Sequence, residues 1–106
     1  MQRRSYSYAL IPGQESDILY VTFEKNRGDI KKFSIQYVAL IDGTSHEIMR
    51  FDTFHGYAHK HTFHRTSAEV IIDLTKPRDG INDVFTESLG YIKRDFEKIK
   101  ANYLIT

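Results

Sequence analysis

The chain has no cysteine. That removes disulfides, thiolate metal sites and a cysteine nucleophile from consideration. It has no strong charge of either sign, since 15 basic and 14 acidic residues leave a net charge of +1. Any affinity for nucleic acid must therefore come from a local patch rather than a global field. Long apolar runs are missing too, so nothing reads as a membrane span. The opening "MQRRSYSYALIPGQ" carries two arginines without an apolar core and does not read as a secretory signal. These absences predict a cytoplasmic protein with no membrane partner. Gly-rich phosphate loops, nucleophile elbows, H-E-x-x-H and EF-hand patterns are also lacking.

What is present suits one packed core. At 106 residues, with 41% hydrophobic and 13% aromatic content, the sequence predicts a single domain over residues 1–106. Alternation of period two fills the first two thirds. In "DILYVTFEK", Leu19, Val21 and Phe23 share a face; in "IKKFSIQYVALID", Phe33, Ile35, Tyr37, Ala39 and Ile41 do. The "KNRGD" and "DGT" segments between such runs predict hairpin turns. "RSYSYALI" reads as a first strand. In "SHEIMRFDT", Met49, Phe51 and Thr53 alternate with Ile48, Arg50 and Asp52. "AEVIIDL" is apolar and β-branched and reads as a late strand.

After Lys76-Pro77-Arg78-Asp79-Gly80 the period changes. Ile81, Val84 or Phe85, Leu89, Ile92, Phe96, Ile99 and Tyr103 recur at helical spacing, with Asp79 or Asn82 as the expected cap. The fold class expected is α+β. It consists of an antiparallel β-meander of about five strands, packed on one face by a long C-terminal helix.

The densest chemistry lies in "RFDTFHGYAHKHTFHR", which holds four of the five histidines. His55, His59, His61 and His64 fall in one ten-residue window where composition alone predicts roughly half a histidine. On a strand from Tyr57 to Arg65, Tyr57, His59, His61 and Phe63 would share a face that could be turned to the core. Ala58, Lys60, Thr62 and His64 would share the other. An H-x-H pair then sets two imidazoles about 7 Å apart at Cα, close enough to converge on one ligand.

Three chemistries suit that geometry. In the first, His59 and His61, with His55 or Asp52, would bind zinc or another divalent transition metal. The spacing matches no ligand motif of established geometry. In the second, no cofactor is needed. His55, His59 and His61 would exchange protons with a phosphodiester while Asp52 orients an imidazole. Arg50, Lys60 or Arg65 would meet developing charge, and Tyr57, Lys60, His64 and Arg65 would contact substrate. RNA, with its 2′-hydroxyl, is the natural substrate for such metal-independent cleavage. In the third, the residues are interfacial in a non-enzymatic interaction module or homodimer. His46, isolated near "DGT", reads as a surface residue. Tyr6, Tyr8, Tyr20 and Tyr37 suit either base stacking or cross-strand packing. Arg3, Arg4, Lys25, Arg27, Lys31 and Lys32 could rim a phosphate site if the fold brings them to it.

The segment also carries a resemblance. Arg50, Phe51, Asp52, Thr53, His55, Gly56, His59, Lys60 and His61 match an R-[YF]-D-[TN]-x-H-G-x-x-H-[RK]-H pattern. Small bacterial and archaeal proteins that end in a long helix carry this pattern, and some are similar to TumE-like toxins of toxin–antitoxin pairs. The likeness implies action on RNA or nucleotides and an antitoxin-type partner. The chain departs from the TumE pattern at Tyr57 and Ala58, where proline and further histidines are expected.

Overall fold

A computed structural model describes residues 2–54, 57–74 and 80–106. The strands are β1 (Gln2–Ala9), β2 (Asp17–Asn26), β3 (Asp29–Ile41), β4 (Thr44–Phe54), β5 (Tyr57–Thr62) and β6 (Val70–Asp73). One helix, α1 (Ile81–Ile105), follows. The strands pair antiparallel in sequence order, so the sheet is a six-stranded meander. This is the α+β architecture expected, with one strand more than the approximate five.

The turns explain the order. Arg27 and Gly28, then Asp42 and Gly43, all adopt positive φ, at 53°, 83°, 51° and 79°. Two successive left-handed residues give the twist that two-residue hairpins need, and glycine supplies the second at no steric cost. The "RG" and "DG" pairs thus fold β2 onto β3 and β3 onto β4.

Alternation then decides what is covered. Leu19, Val21, Phe33, Ile35, Tyr37, Ala39, Met49, Phe51 and Ala58 are buried against Val84, Ile92, Phe96, Ile99 and Tyr103 of α1. Each fully buried aliphatic, such as Leu19, Ile35 or Ile92, contributes about 1.5–3 kcal/mol over an exposed one. The helix packs chiefly on β3 and β4. Its buried stripe includes Ser88, while Leu89, expected on that stripe, is only half-buried.

Two local departures from the sequence pattern have clear causes. Tyr37 pairs with Met49 and Val38 with Glu47, so Ile48 is an extra residue in β4. That bulge buries Ile48 as well as Met49 instead of leaving it on the polar side. At the helix start, the N-cap is Gly80 with no side-chain cap, and Asp79 lies outside the described residues. Asn82 instead accepts the backbone N–H of Ile30 at 2.8 Å, tying the helix to β3. No basic residue lies in the last helical turn. Lys100 reaches Asp17 at 3.4 Å.

Asp17 is the buried carboxylate of the core. The Tyr37 hydroxyl donates to its Oδ1 at 2.5 Å and Ser16 Oγ donates to its Oδ2 at 3.1 Å. Burial foremost, and the hydrogen bond to Asp17 next, raise the Tyr37 phenol far above its ordinary value. His46 is not the free surface residue expected: its Nδ1 meets the Tyr103 hydroxyl at 3.1 Å on the helix side. Among the described residues, no helix is long and apolar enough to cross a membrane.

Candidate functional site

Pairing and pleat place the histidines. Arg50 stands opposite His61 and Asp52 opposite His59. Opposed residues of an antiparallel pair share a face. Since Phe51 and Ala58 turn to α1, Arg50, Asp52, His59 and His61 must turn away from it. The histidine face is therefore the helix-free face, not a core face. No described segment packs over it.

A chain of polar contacts crosses this face. Gln36 Nε2 donates to Glu47 Oε2, and Arg50 donates from Nη1 to Glu47 Oε1 at 3.0 Å. Arg50 Nε donates to Asp52 Oδ2, also at 3.0 Å. His61 Nε2 lies 3.0 Å from Asp52 Oδ1, and its Nδ1 lies 3.3 Å from Glu69 Oε2. An imidazolium, with a donor on each nitrogen, satisfies both carboxylates at once. A neutral ring would set one acceptor nitrogen against an acceptor oxygen. Glu69, expected only as part of the late strand "AEVIIDL", joins the site. It reaches His61 only because the loop after β5 returns to form β6, a contact no local pattern encodes.

His59 lies beside this chain, its ring centroid 6.4 Å from that of His61. Its Nδ1 is buried without a hydrogen-bond partner among the described residues, a costly arrangement unless something else meets it. Phe63 closes the row, stacked nearly parallel to His61 with the Arg50 guanidinium 5.5 Å from its ring.

The other expected residues separate. His55 lies outside the described residues. Tyr57 is exposed and shares the pleat side of His59. Lys60 points to the opposite face, its ammonium 4.9 Å from the Tyr91 ring of α1, so it cannot meet charge beside the imidazoles. His64 bonds the Thr106 hydroxyl at 2.9 Å, at the helix C-terminus, and Arg65 is exposed in the following loop. Arg50 stands where expected, but Glu47 and Asp52 flank its guanidinium, so its charge is spent within the network. Among the described residues, His59 and His61 find no third ligand for a metal, and His55, an expected one, lies outside them. Among the described residues, no group of three histidine, aspartate or glutamate side chains could hold an ion.

Part of the basic set does reach the site. Arg3, Lys32, Thr22, Ser34, Glu24 and Asp52 line a concavity of about 320 Å³ on the helix-free face. Arg3 and Lys32 flank Glu24 on neighbouring strands, and neither makes an ion pair among the described residues. Tyr20, two residues from Thr22 on the same face, is also exposed. Tyr37, by contrast, is core, and Tyr6 and Tyr8 stack on each other on the helix side at 6.0 Å.

Comparison with curated proteins and with solved structures gave no match. One family model, described as "Domain of unknown function (DUF7718)", matches residues 1–105. That span takes in every element of the sheet and the helix, and the chain belongs to this family of domains.

Proposed function

We propose that the helix-free face handles a phosphodiester, with RNA as the substrate class and His59 and His61 as its proton-transfer groups. The observation that carries this reading is the convergence of both imidazoles with Asp52 on a sheet face that no described segment covers. The concavity holding Arg3 and Lys32 adjoins them.

In this reading His59 takes the proton of a ribose 2′-hydroxyl as its oxygen attacks phosphorus. The bond from phosphorus to the 5′-oxygen breaks, and His61 gives that oxygen a proton. Asp52 orients the His61 ring from Nε2, and the leaving oxygen takes the place of Glu69 at Nδ1, the nitrogen that gives the proton; Arg50 holds Asp52 in place rather than meeting substrate. Arg3 and Lys32 would take flanking phosphates, and Tyr57 or Tyr20 would offer a ring to an unpaired base. The products are a 2′,3′-cyclic phosphate and a 5′-hydroxyl. The resemblance to TumE-like toxins points to the same substrate class and adds an antitoxin-type protein as partner.

A non-enzymatic interaction module is the competing reading. It is favoured by the closure of the network, in which both nitrogens of His61 and the Arg50 guanidinium already have partners. Untagged protein incubated with a mixed RNA pool and excess chelator separates the two. Cleavage leaving cyclic-phosphate ends is expected, with His59→Ala and His61→Ala each slowing it about 100-fold or more. RNA equally intact with wild type and with the double variant would remove the enzymatic reading and leave the interaction module.

A further inference from the structure

Register sets Ser5, Thr22, Ser34, Asp52 and His59 in one line across β1 to β5, all on the helix-free face. Ser5, Thr22 and Ser34 are short, and the first two join hydroxyls at 3.1 Å, so the line is low from β1 to β3. Thr22, Ser34 and Asp52 line the concavity of about 320 Å³ already described. That volume falls within the roughly 300–1,000 Å³ of small-molecule sites.

The next line on that face is charged. Arg3 stands opposite Glu24 and Glu24 opposite Lys32, so the order across β1, β2 and β3 is cation, carboxylate, cation. Opposite charges on neighbouring strands ordinarily join. Among the described residues, however, Arg3, Glu24 and Lys32 form no ion pair or side-chain hydrogen bond, and all three line the concavity. A ligand lying on the serine and threonine floor therefore meets donor, acceptor and donor in that order. The order discriminates. A phosphate seated over the middle of the row would meet a carboxylate. Of the four RNA bases, uracil alone carries acceptor, donor and acceptor along its Watson–Crick edge, at O4, N3–H and O2. Cytosine and adenine would set a ring-nitrogen acceptor against Glu24, and guanine would set its amino group against a cation.

We propose that this concavity is a uracil site, with Glu24 accepting from N3–H while Arg3 and Lys32 donate to the two carbonyl oxygens. The inference rests on the RNA reading of the same face and adds the base that the face selects. A guanidinium has five N–H donors and an ammonium three, so each cation can hold a carbonyl and a flanking phosphate together. Two interstrand steps separate Lys32 on β3 from His59 on β5, about 10 Å, a span that one nucleotide can bridge. A uridine seated in the concavity thus brings its own 2′-hydroxyl and 3′-phosphate to the imidazoles, and cleavage falls on the 3′ side of uridine.

Uridine 3′-monophosphate, which has no bond left to cleave, separates base reading from catalysis. In calorimetric titrations of the full chain it should bind at least about ten times tighter than the 3′-monophosphates of cytidine, adenosine and guanosine. Glu24→Gln places an amide, with a donor as well as an acceptor, at the middle of the row. It should bring the uridine and cytidine nucleotides to within about threefold of each other. Lys32→Met removes one outer donor and should weaken uridine 3′-monophosphate by about tenfold. Equal affinity for the four nucleotides overturns the proposal. So does a uridine preference that both variants leave intact, or uridine 3′-monophosphate binding no tighter than inorganic phosphate. Selective binding without cleavage of any RNA upholds the base site and removes the proposed chemistry. Cleavage that leaves cyclic phosphate equally on all four nucleosides does the reverse.

Discussion

Tyr37→Phe removes one oxygen from the centre of the core and leaves the ring's volume in place. Tyr37 is fully buried, and its hydroxyl is one of three donors to a carboxylate that is itself 3% exposed. The variant leaves Asp17 with Ser16 at 3.1 Å and Lys100 at 3.4 Å. Losing a hydrogen bond to a buried charged group costs about 1.5–3 kcal/mol. With a urea dependence of about 1–1.5 kcal/mol per M for a domain of this size, the unfolding midpoint should fall by about 1 M or more.

The same residue fixes the sign of an alkaline effect. Burial, then the hydrogen bond to Asp17, raises the folded phenol, whereas an unfolded tyrosine ionises near pH 10. The contribution of Tyr37 is therefore complete below about pH 10 and lost as pH rises, because only the unfolded chain releases the proton. The slope is up to about 1.4 kcal/mol per pH unit. Urea titrations followed by circular dichroism at pH 7, 9, 10 and 11 measure both effects. The Phe variant should start less stable and lose stability less steeply above pH 10. An unchanged midpoint at pH 7, or an unchanged alkaline slope, would refute the account of Asp17 and Tyr37 as a desolvated pair.

Two further outcomes follow from the backbone and the faces. Gly43→Ala should lower stability by about 1–2 kcal/mol in the same urea assay, because alanine resists the positive φ of 79° there although no atom crowds the site. Lys60→Met should leave any RNA cleavage unchanged, since Lys60 lies on the helix side of the sheet, and should alter stability by less than about 1 kcal/mol through loss of its contact with Tyr91.

Period-two and helical spacing, with "RG" and "DG" between the runs, were enough to determine the meander, the helix and most of the core. These are local signals: a side chain's face follows from its neighbours' alternation, and a two-residue turn leaves one way to return. The sequence also determined that His59 and His61 share a face. Which face it is was decided by tertiary packing, because α1 can cover only one side and the larger apolar stripe of β2, β3 and β4 takes it. Register across strands decided the rest. It set Asp52 beside both histidines, brought Glu69 back to His61, spent the charge of Arg50 on Glu47 and Asp52, and sent Lys60 to the helix. A bulge at Ile48 and the acceptor role of Asn82 were likewise settled only by contact between segments far apart in the chain, where no periodicity reaches.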